Sequence, residues 1–480
     1  MPKPHVVIIM ADQLRHDVCT PQYTPAIHRL SEEGVVFERA YCASPLCVPA
    51  RGAFFTGKYP NQTGCIINPW EDVERQHGVV RSGTANLYQL LEGAWDSWHC
   101  GKQHLLTDEK RPAAATRWNT EHDYGAFLKN NGHRKPGGAA FTGICPEMFG
   151  GRITRMRRYS IPTTGCYEHG FDSFFDGYIA SSALSALRQR DRSKPFLLNA
   201  MFLAPHPPLD IPQPWYSLYK DAVLPRNVGV WSPNQSPLQL YNLPGALGAR
   251  YTRDDWQKIW PVYLGLVTLL DHCVALLLNE LKAQGMYDDT LIVFTADHGE
   301  MLGSHCLWQK MCMYEESVRT PLFIKFPRSF QPAARKIRDV ASAVDVLPTL
   351  CEFLEVPAPS GLAGQSLMPA VRGEGLKPRE GIYVQFDGNG ARGNFQRCVI
   401  DGDSKLIVDM FKDETFLELY NVTADPEEMN NLAFDPAHGE RIEAMLARLR
   451  AWMRDTGDLL QISENAYSRF VADYAPFSRL

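Results

Sequence analysis

Runs of consecutive apolar residues alternate along this chain with segments whose apolar residues recur at helical spacing. Apolar runs that are typical of strands buried on both faces of a parallel sheet lie at residues 5–10, 35–41, 95–99, 196–203, 291–295 and 321–326. Helices are predicted at residues 25–34, 50–56, 85–92, 255–284 and 344–354. This alternation predicts an α/β fold with a mostly parallel sheet flanked by helices.

The pattern changes after about residue 375, where short apolar segments alternate with turns. Antiparallel strands are predicted at residues 382–386, 398–400, 405–409 and 418–420, with a helix at 441–454. We therefore expect a catalytic domain over residues 1–375 and a smaller α+β domain over residues 376–480. Residues 107–170 are rich in Gly, Arg and Pro and weakly periodic, so they are interpreted as an irregular insertion near the site.

Composition places the chain among ordinary soluble proteins. Its 480 residues are long enough for two or more domains, and 45% are hydrophobic and 21% charged. The formal net charge of −5 gives no reason to expect nucleic acid or an anionic membrane as a partner.

The amino-terminal apolar run is too short for the core of a signal peptide, and no stretch is expected to be long and apolar enough to cross a bilayer. We therefore expect a cytoplasmic protein. Its twelve cysteines are expected to be reduced thiols, and no Cys-x-x-Cys pair offers a structural zinc site.

Polar residues follow several of the predicted strands. Asp12 and Gln13 come directly after the first strand, and Asp297 and His298 come after a much later one. Because ligands of parallel sheets bind beyond the carboxyl ends of the strands, we expect these pairs to meet. An isolated Asp-Gln pair is more often a helix cap or a turn. The second pair favours a site for a divalent cation, which prefers carboxylate and amide oxygens.

Cys47 belongs to the segment Cys-Val-Pro-Ala-Arg at residues 47–51, which is followed by Phe-Thr-Gly at residues 55–57. A buried structural cysteine is the alternative interpretation of Cys47 taken alone. Together with the Asp-Gln and Asp-His pairs, the segment resembles the type I sulfatases of the alkaline phosphatase superfamily. In that family the cysteine of Cys-x-Pro-Ser-Arg is oxidised to formylglycine by a formylglycine-generating enzyme, and the hydrated aldehyde attacks sulfur. Ala50 stands here where the family usually has serine.

The resemblance also implies a metal site formed by Asp12, Gln13, Cys47, Asp297 and His298. His298 would add a nitrogen ligand or would instead contact the nucleophile. A thiol is a poor ligand for a hard cation, which favours conversion of Cys47 to an oxygen-bearing group. Many sulfatases have aspartate at the Gln13 position, so this site carries one negative charge fewer. Calcium is the expected ion, with magnesium and manganese as alternatives.

Five further residues receive roles from the resemblance. Arg51 would hold the nucleophile and the metal ligands, and Lys102 and Lys310 would bind the sulfate oxygens. His104, in Gly-Lys-Gln-His at residues 101–104, would be the base that takes the proton from the remaining hydroxyl of the sulfated hemiacetal, which releases sulfate. His206 would contact the leaving group or act as a general acid; a structural loop histidine is its alternative interpretation.

The resemblance implies hydrolysis of a sulfate ester to an alcohol and sulfate. The alternative is a formylglycine-dependent phosphonate monoester or phosphodiester hydrolase; the Lys102 and His104 pair favours the sulfatase. A silent binding protein on the same fold would have lost a catalytic position, and none is lost.

The sequence does not choose between aryl sulfates and sulfated sugars as the small substrate, and a homo-oligomer is left open. Candidate pocket residues are Trp70, Trp118, Trp215 and the basic stretch at residues 152–158, although ordinary packing or a surface position is the favoured interpretation of each of them.

Overall fold

The computed structural model describes residues 3–69, 75–109, 112–149, 152–388 and 393–474. Its strands are β1 (His5–Asp12), β2 (Val35–Phe37), β3 (Ala40–Tyr41), β4 (Asp96–Gly101), β5 (Arg117–Asn119), β6 (Thr142–Phe149), β7 (Arg152–Ser160), β8 (Thr164–Tyr167), β9 (Phe196–Pro205), β10 (Leu209–Pro212), β11 (Thr290–Ala296), β12 (Arg319–Thr320), β13 (Leu322–Lys325), β14 (Lys336–Ile337), β15 (Ala341–Ser342), β16 (Ile382–Phe386), β17 (Phe395–Asp401), β18 (Ser404–Phe411) and β19 (Glu414–Asn421).

The helices are α1 (Pro25–Glu33), α2 (Cys47–Thr56), α3 (Pro60–Thr63), α4 (Arg75–Gly78), α5 (Leu87–Leu91), α6 (Glu121–Asn131), α7 (Phe175–Gln189), α8 (Leu243–Ala246), α9 (Arg253–Ala283), α10 (Glu315–Val318), α11 (Val346–Phe353), α12 (Met368–Val371), α13 (Gly439–Thr456) and α14 (Ala466–Tyr474).

A central sheet of eight strands has the order β14-β2-β13-β11-β1-β9-β4-β5. The pairs of β1 with β11 and β9, and of β4 with β9 and β5, are parallel. β13 runs antiparallel to both β11 and β2. The predicted α/β fold is confirmed, and the parallel part of the sheet holds the four strands that lead to the candidate site.

β1 is buried on both faces, as its sequence predicts. Val7, Ile9 and Ala11 pack on one side with residues of α1, α7 and α9. Val6 and Ile8 pack on the other side with residues of α2, α5 and α11. Two helical layers therefore cover the sheet and fix the position of Asp12 at its end.

The interpretation of residues 107–170 as irregular is wrong. This segment contains α6 and four strands, β5 to β8. α6 begins at Thr120, whose hydroxyl accepts from His122 N while its own N–H donates to Asp123, and it ends at Gly132 with φ of 68°. The pattern missed this helix because only two of its residues, Tyr124 and Leu128, are buried.

The single strand predicted at residues 35–41 is also wrong. β2 joins the central sheet, whereas β3 pairs with β12 and β15 in a separate sheet of three strands. The chain thus changes sheet just before it reaches Cys47.

α9 corrects the expectation about membrane-spanning segments. Over 31 residues it is long and apolar enough to cross a membrane, but 78% of its most apolar window is buried inside the protein. Its position against β9 and α7 is that of a core helix.

The strands after residue 375 form an antiparallel sheet in the order β16-β17-β18-β19. α13 and α14 pack on it, and Phe470 of α14 contacts Phe416 with ring centroids 5.2 Å apart. The division into domains at residue 375 stays a prediction. The eleven cysteines whose side chains the structure describes form no disulfide.

Candidate active site

Four parallel strands deliver the predicted site residues to one edge of the central sheet. Asp12 ends β1, and Asp297 follows β11, its neighbour in the sheet. Lys102 follows β4, and His206 follows β9. The site is therefore assembled at the carboxyl ends of the strands, where ligands of such sheets bind.

Cys47 is the first residue of α2, and its buried thiol lies at the centre of this group. Its Sγ is 3.2 Å from Nε2 of His298, 3.5 Å from Nζ of Lys310 and 3.7 Å from Nζ of Lys102. Burial raises the pKa of the thiol, but Lys102, Lys310 and His298 outweigh burial and hold the pKa well below its usual value. The position is thus built to stabilise an anionic group.

Arg51 lies one helical turn after Cys47 and joins the two carboxylates. Its Nε donates to Oδ2 of Asp297 and its second terminal nitrogen to Oδ2 of Asp12, both over 3.0 Å. A guanidinium is suited to such a bridge because it presents several donors in a rigid plane. All three side chains are almost fully buried, so Arg51 compensates charge that water cannot reach.

The carboxylates respond differently to this environment. Burial and the nearby Cys47 oppose ionisation of Asp12, but Lys102, His206 and Arg51 hold its pKa below the usual range. Burial and the charge of Asp12 raise the pKa of Asp297 instead. Asp12 is therefore held in its ionised form, whereas Asp297 needs additional positive charge nearby to ionise as readily.

The donor set suits a divalent cation. One ligating atom from each of Asp12, Cys47, Asp297 and His298 lies within 4.8 Å of all the others. Oδ1 of Asp12 is turned away from Arg51 and lies 3.8 Å from Sγ of Cys47. Carboxylate oxygens at this spacing, with an imidazole, fit a hard or borderline divalent ion.

Gln13 is held in a left-handed backbone conformation, with φ of 65°. Its N–H donates to Oδ1 of Asp297 over 3.1 Å. Its amide oxygen accepts from Nζ of Lys310 over 2.6 Å, and its amide nitrogen donates to Glu300. The predicted metal ligand Gln13 therefore lies in the same cluster, with its amide oriented by Lys310 and Glu300.

Lys102, His104 and His206 line a cavity of about 190 Å³ beside Cys47. Nζ of Lys102 donates to Oδ2 of Asp12 over 2.5 Å. Nε2 of His206 lies 4.0 Å from Oδ1 of Asp12. Burial and the two lysines lower the pKa of His206 to about 4, so the ring is neutral at pH 7.

The structure brings all the predicted site residues together but excludes two of the predicted pocket residues. Trp118 packs on Tyr88 and His99, and Trp215 packs on Phe171 and His272, so neither lines the cavity. Trp70 lies outside the described residues. The basic stretch at residues 152–158 belongs to β7.

Sequence reasoning missed three acidic residues at the site. Glu300 binds Gln13, and Glu121 and Asp176 line the cavity. Glu300 could have been found from its position three residues after Asp297. Glu121 and Asp176 carry no sequence signal, because α6 and α7 place them there through the fold.

Comparison with known proteins decides the family. The model of the family described as Sulfatase matches residues 4–356, which is more than half of the chain. The chain belongs to the sulfatase family. The model described as N-sulphoglucosamine sulphohydrolase, C-terminal, matches residues 303–455 of this sulfatase. The enzyme is therefore a sulfuric ester hydrolase with the alkaline phosphatase-like fold.

Individual relatives are distant but match over most of their length. The sulfatase is 27% identical to an arylsulfatase of Clostridium perfringens over 92% of both chains. It is 26% identical to an N-acetylglucosamine-6-O-sulfatase of Bacteroides thetaiotaomicron, covering 85% of this chain and 78% of the relative.

The crystal structure of a phosphonate monoester hydrolase of Agrobacterium radiobacter has a TM-score of 0.73 at 21% identity, over 95% of this chain and 96% of that one. At that identity the similarity shows a shared fold alone and carries no argument about the substrate.

Proposed function

We propose that this sulfatase hydrolyses a small sulfated alcohol with formylglycine at position 47 and one divalent metal ion. The observation that carries the proposal is the position of Cys47. Its side chain lies within 4 Å of two lysines, His298 and Asp12. The two lysines place positive charge where a sulfuryl group would concentrate negative charge during its transfer.

The hydrate of formylglycine at position 47 would supply the attacking hydroxyl, and the alcohol would leave as sulfur is transferred. Loss of the proton from the second hydroxyl would then expel sulfate and restore the aldehyde. A metal ion at this site would polarise the attacking hydroxyl and a sulfate oxygen. Asp12, Gln13, Asp297 and His298 would hold the ion, and calcium is the proposed species because most of these ligands offer oxygen. Arg51 would keep the two carboxylates at a fixed separation.

The lysines have separate tasks because they approach position 47 from different elements. Lys102 follows β4 and Lys310 precedes α10, so a sulfate between them would be held from two sides. Lys310 would also stabilise the leaving oxygen.

His104 and His206 both line the cavity, and each has a separate proposed role. His104 is the proposed base for the proton on position 47. Burial and the neighbouring Lys102 lower its pKa, which keeps it able to accept that proton at pH 7.

The loop that carries His206 determines which ring nitrogen of this histidine holds the proton. Its Nδ1 lies 2.5 Å from the carbonyl oxygen of Pro207, so this nitrogen carries the proton and donates. Nε2 of the neutral ring then faces the cavity as an acceptor. We propose that it contacts the leaving group, and that it can act as a general acid only after a bound anion has favoured its protonation.

The Lys102 and His104 pair supports sulfate over phosphonate, because both residues face the cavity beside Cys47. A cavity of about 190 Å³ suits a single ring as the leaving group. The relative named for N-acetylglucosamine 6-sulfate supports a sulfated sugar as the substrate class, and an aryl sulfate is the alternative.

Peptide mass spectrometry tests the nucleophile. Trypsin cleaves after Arg39 and Arg51, so one peptide of residues 40–51 contains Cys42 and Cys47. Protein made with a formylglycine-generating enzyme should lose about 18 Da in this peptide, since sulfur and two hydrogens are exchanged for one oxygen.

Fragmentation must place the loss at residue 47, so Cys42 serves as an internal control. The Cys42→Ala variant should retain the mass loss and Cys47→Ala should abolish it. An unshifted peptide, with the maturation enzyme active on a control substrate, would contradict the proposal. Modified protein should then release sulfate from a sulfated sugar or aryl ester faster than it cleaves a phosphonate monoester.

A further inference from the structure

Asp176 is a buried acidic residue in the cavity beside the proposed nucleophile. It is the second residue of α7 and has no exposed surface. Its Oδ1 accepts from the N–H groups of Leu203 and Ala204, over 2.8 and 2.9 Å. Its Oδ2 is also buried and has no hydrogen-bond partner among the described residues.

The contacts of Oδ1 therefore have a structural explanation, whereas the burial of Oδ2 does not. The two bonds to Oδ1 fix the end of β9, from which the His206 loop leaves. An oxygen without a partner gains nothing from burial, because polar groups are normally hydrogen-bonded when they leave water. Burial and the charge of Asp12 also raise the pKa of Asp176, to about 7.

The cavity connects Asp176 with the reacting groups. Lys102, His104 and His206 line the same space, and Tyr124, Phe174, Phe175 and Leu266 form apolar walls. A substrate whose sulfate lies at Lys102 would place its alcohol portion in this space. Apolar walls around a few polar groups are typical of small-molecule sites, in which the polar groups select the ligand.

We propose that Oδ2 of Asp176 selects the leaving alcohol by accepting a hydrogen bond from a hydroxyl or amino group on it. The inference rests on the proposed function, because it assigns the cavity to the leaving group. In its ionised form Asp176 accepts and does not donate, so it favours a ligand that brings its own donor, and such a donor in turn favours the ionised form over the protonated one. A hydrophobic leaving group of the same shape would leave Oδ2 unpaired and should react more slowly.

Matched substrates and Asp176→Asn test this role. Glucosamine 6-sulfate and glucose 6-sulfate carry amino or hydroxyl donors, whereas cyclohexylmethyl sulfate has a similar ring without them. Asparagine can still accept from Leu203 and Ala204 through its amide oxygen, but it presents an NH₂ group in place of Oδ2. We expect kcat/KM of the variant to fall by about 10- to 100-fold on the two sugars and by less than about 3-fold on cyclohexylmethyl sulfate.

Asp271 offers a matched control. It is also a buried helical aspartate whose oxygens accept from two backbone N–H groups, those of Ala26 and Ile27, but it does not line the cavity. Asp271→Asn should change kcat/KM equally on all three esters. An equal loss on all three esters in Asp176→Asn, or no loss on the sugars, would overturn the proposal.

The two donors are distinguished by the preference of the wild-type enzyme. A preference for glucosamine 6-sulfate that disappears in Asp176→Asn assigns the bond to an amino group, and equal losses on both sugars assign it to a hydroxyl.

Failure of the proposed function has a different signature, since wild-type protein with formylglycine at position 47 would then hydrolyse none of the esters. Calorimetric titration with glucosamine and glucose still tests Asp176 in that case. Weaker binding to Asp176→Asn than to wild type supports the inference, and unchanged binding contradicts it.

Discussion

Lys310 donates to the amide oxygen of Gln13 over 2.6 Å, and the amide nitrogen of the same side chain donates to Glu300. The two contacts fix which end of the amide faces the candidate metal ligands, because one partner is a donor and the other an acceptor. An aspartate or glutamate at position 13 would place a second carboxylate near Glu300, which has no exposed surface. The neutral amide is therefore matched to the acid beside it.

A double-mutant cycle measures this match. Gln13→Glu should lower the free energy of unfolding by about 2 kcal/mol or more, because it replaces a buried hydrogen bond by two facing carboxyl groups. Glu300→Gln added to Gln13→Glu should recover part of that loss, because the new amide can donate to the new carboxylate. Urea unfolding of the four proteins gives the coupling energy. Additive losses would show that the two residues do not interact.

Removal of Arg51 should be among the most destabilising changes in the site. Arg51→Ala leaves the buried Asp12 and Asp297 without their shared partner, and breaking such a pair costs about 3–5 kcal/mol. Arg51→Lys should recover only part of this loss, since one ammonium cannot reproduce the two bonds of the guanidinium.

Chemical denaturation measures both variants. The matched control is Arg328→Ala, because the ion pair of Arg328 with Asp288 is exposed and should contribute less than about 1 kcal/mol. A similar loss in Arg51→Ala and Arg328→Ala would contradict the assigned bridge.

The Asp12-Gln13 and Asp297-His298 pairs could be predicted from the sequence because each pair follows a strand, and strand ends meet at one edge of a parallel sheet. Cys47, Arg51 and Lys310 lie in or before helices, and only the family resemblance pointed to them. The strand β1 could be predicted from its uninterrupted apolar residues, and the position of Asp12 at its end followed from that prediction.

The cavity could not be predicted from the sequence. α6 has few buried positions, and Asp176 and Glu121 reach the site because α7 packs on β9 and α6 packs on α7. Trp118 and Trp215 pack on neighbouring rings, which agrees with ordinary packing as the favoured interpretation of both residues.

Protein that has not been converted to formylglycine should contain an unusually acidic thiol. Lys102, Lys310 and His298 hold the pKa of Cys47 well below its usual value, whereas burial raises the pKa of Cys42 and Cys65. A thiolate is the reacting form, so alkylation of Cys47 by iodoacetamide at pH 7 should be at least about tenfold faster than that of either control cysteine.

The pH profile and a lysine variant check the cause. The rate at Cys47 should rise less between pH 7 and pH 9 than the rate at either control cysteine, because its lowered pKa leaves a smaller share of the thiol to ionise over this range. Lys310→Met should bring back a steep rise with pH, since one of the cations is removed. Peptide mapping after timed alkylation measures each rate, and a wild-type rate at Cys47 that rises as steeply as a free thiol would contradict the assignment.

The sheet after residue 375 should make stability fall as the pH rises above about 5. Burial raises the pKa of Asp409 to about 6 and that of Glu418 to about 7, although Ser236, Asn394 and Tyr314 donate to these carboxyl groups. The unfolded chain loses these protons at a lower pH than the folded protein does. Between the two pKa values the folded state binds more protons, so stability decreases with rising pH.

Glu418→Gln should remove its share of this dependence. The amide oxygen can still accept from the Tyr314 and Tyr420 hydroxyls, which donate to Glu418 over 2.7 and 2.9 Å. The stability of the variant relative to wild type should therefore improve by about 1–3 kcal/mol between pH 5 and pH 8. Urea unfolding at both pH values measures the difference, with the exposed Glu414→Gln as the control. An equal pH dependence in wild type and Glu418→Gln would show that Glu418 ionises normally in the folded protein.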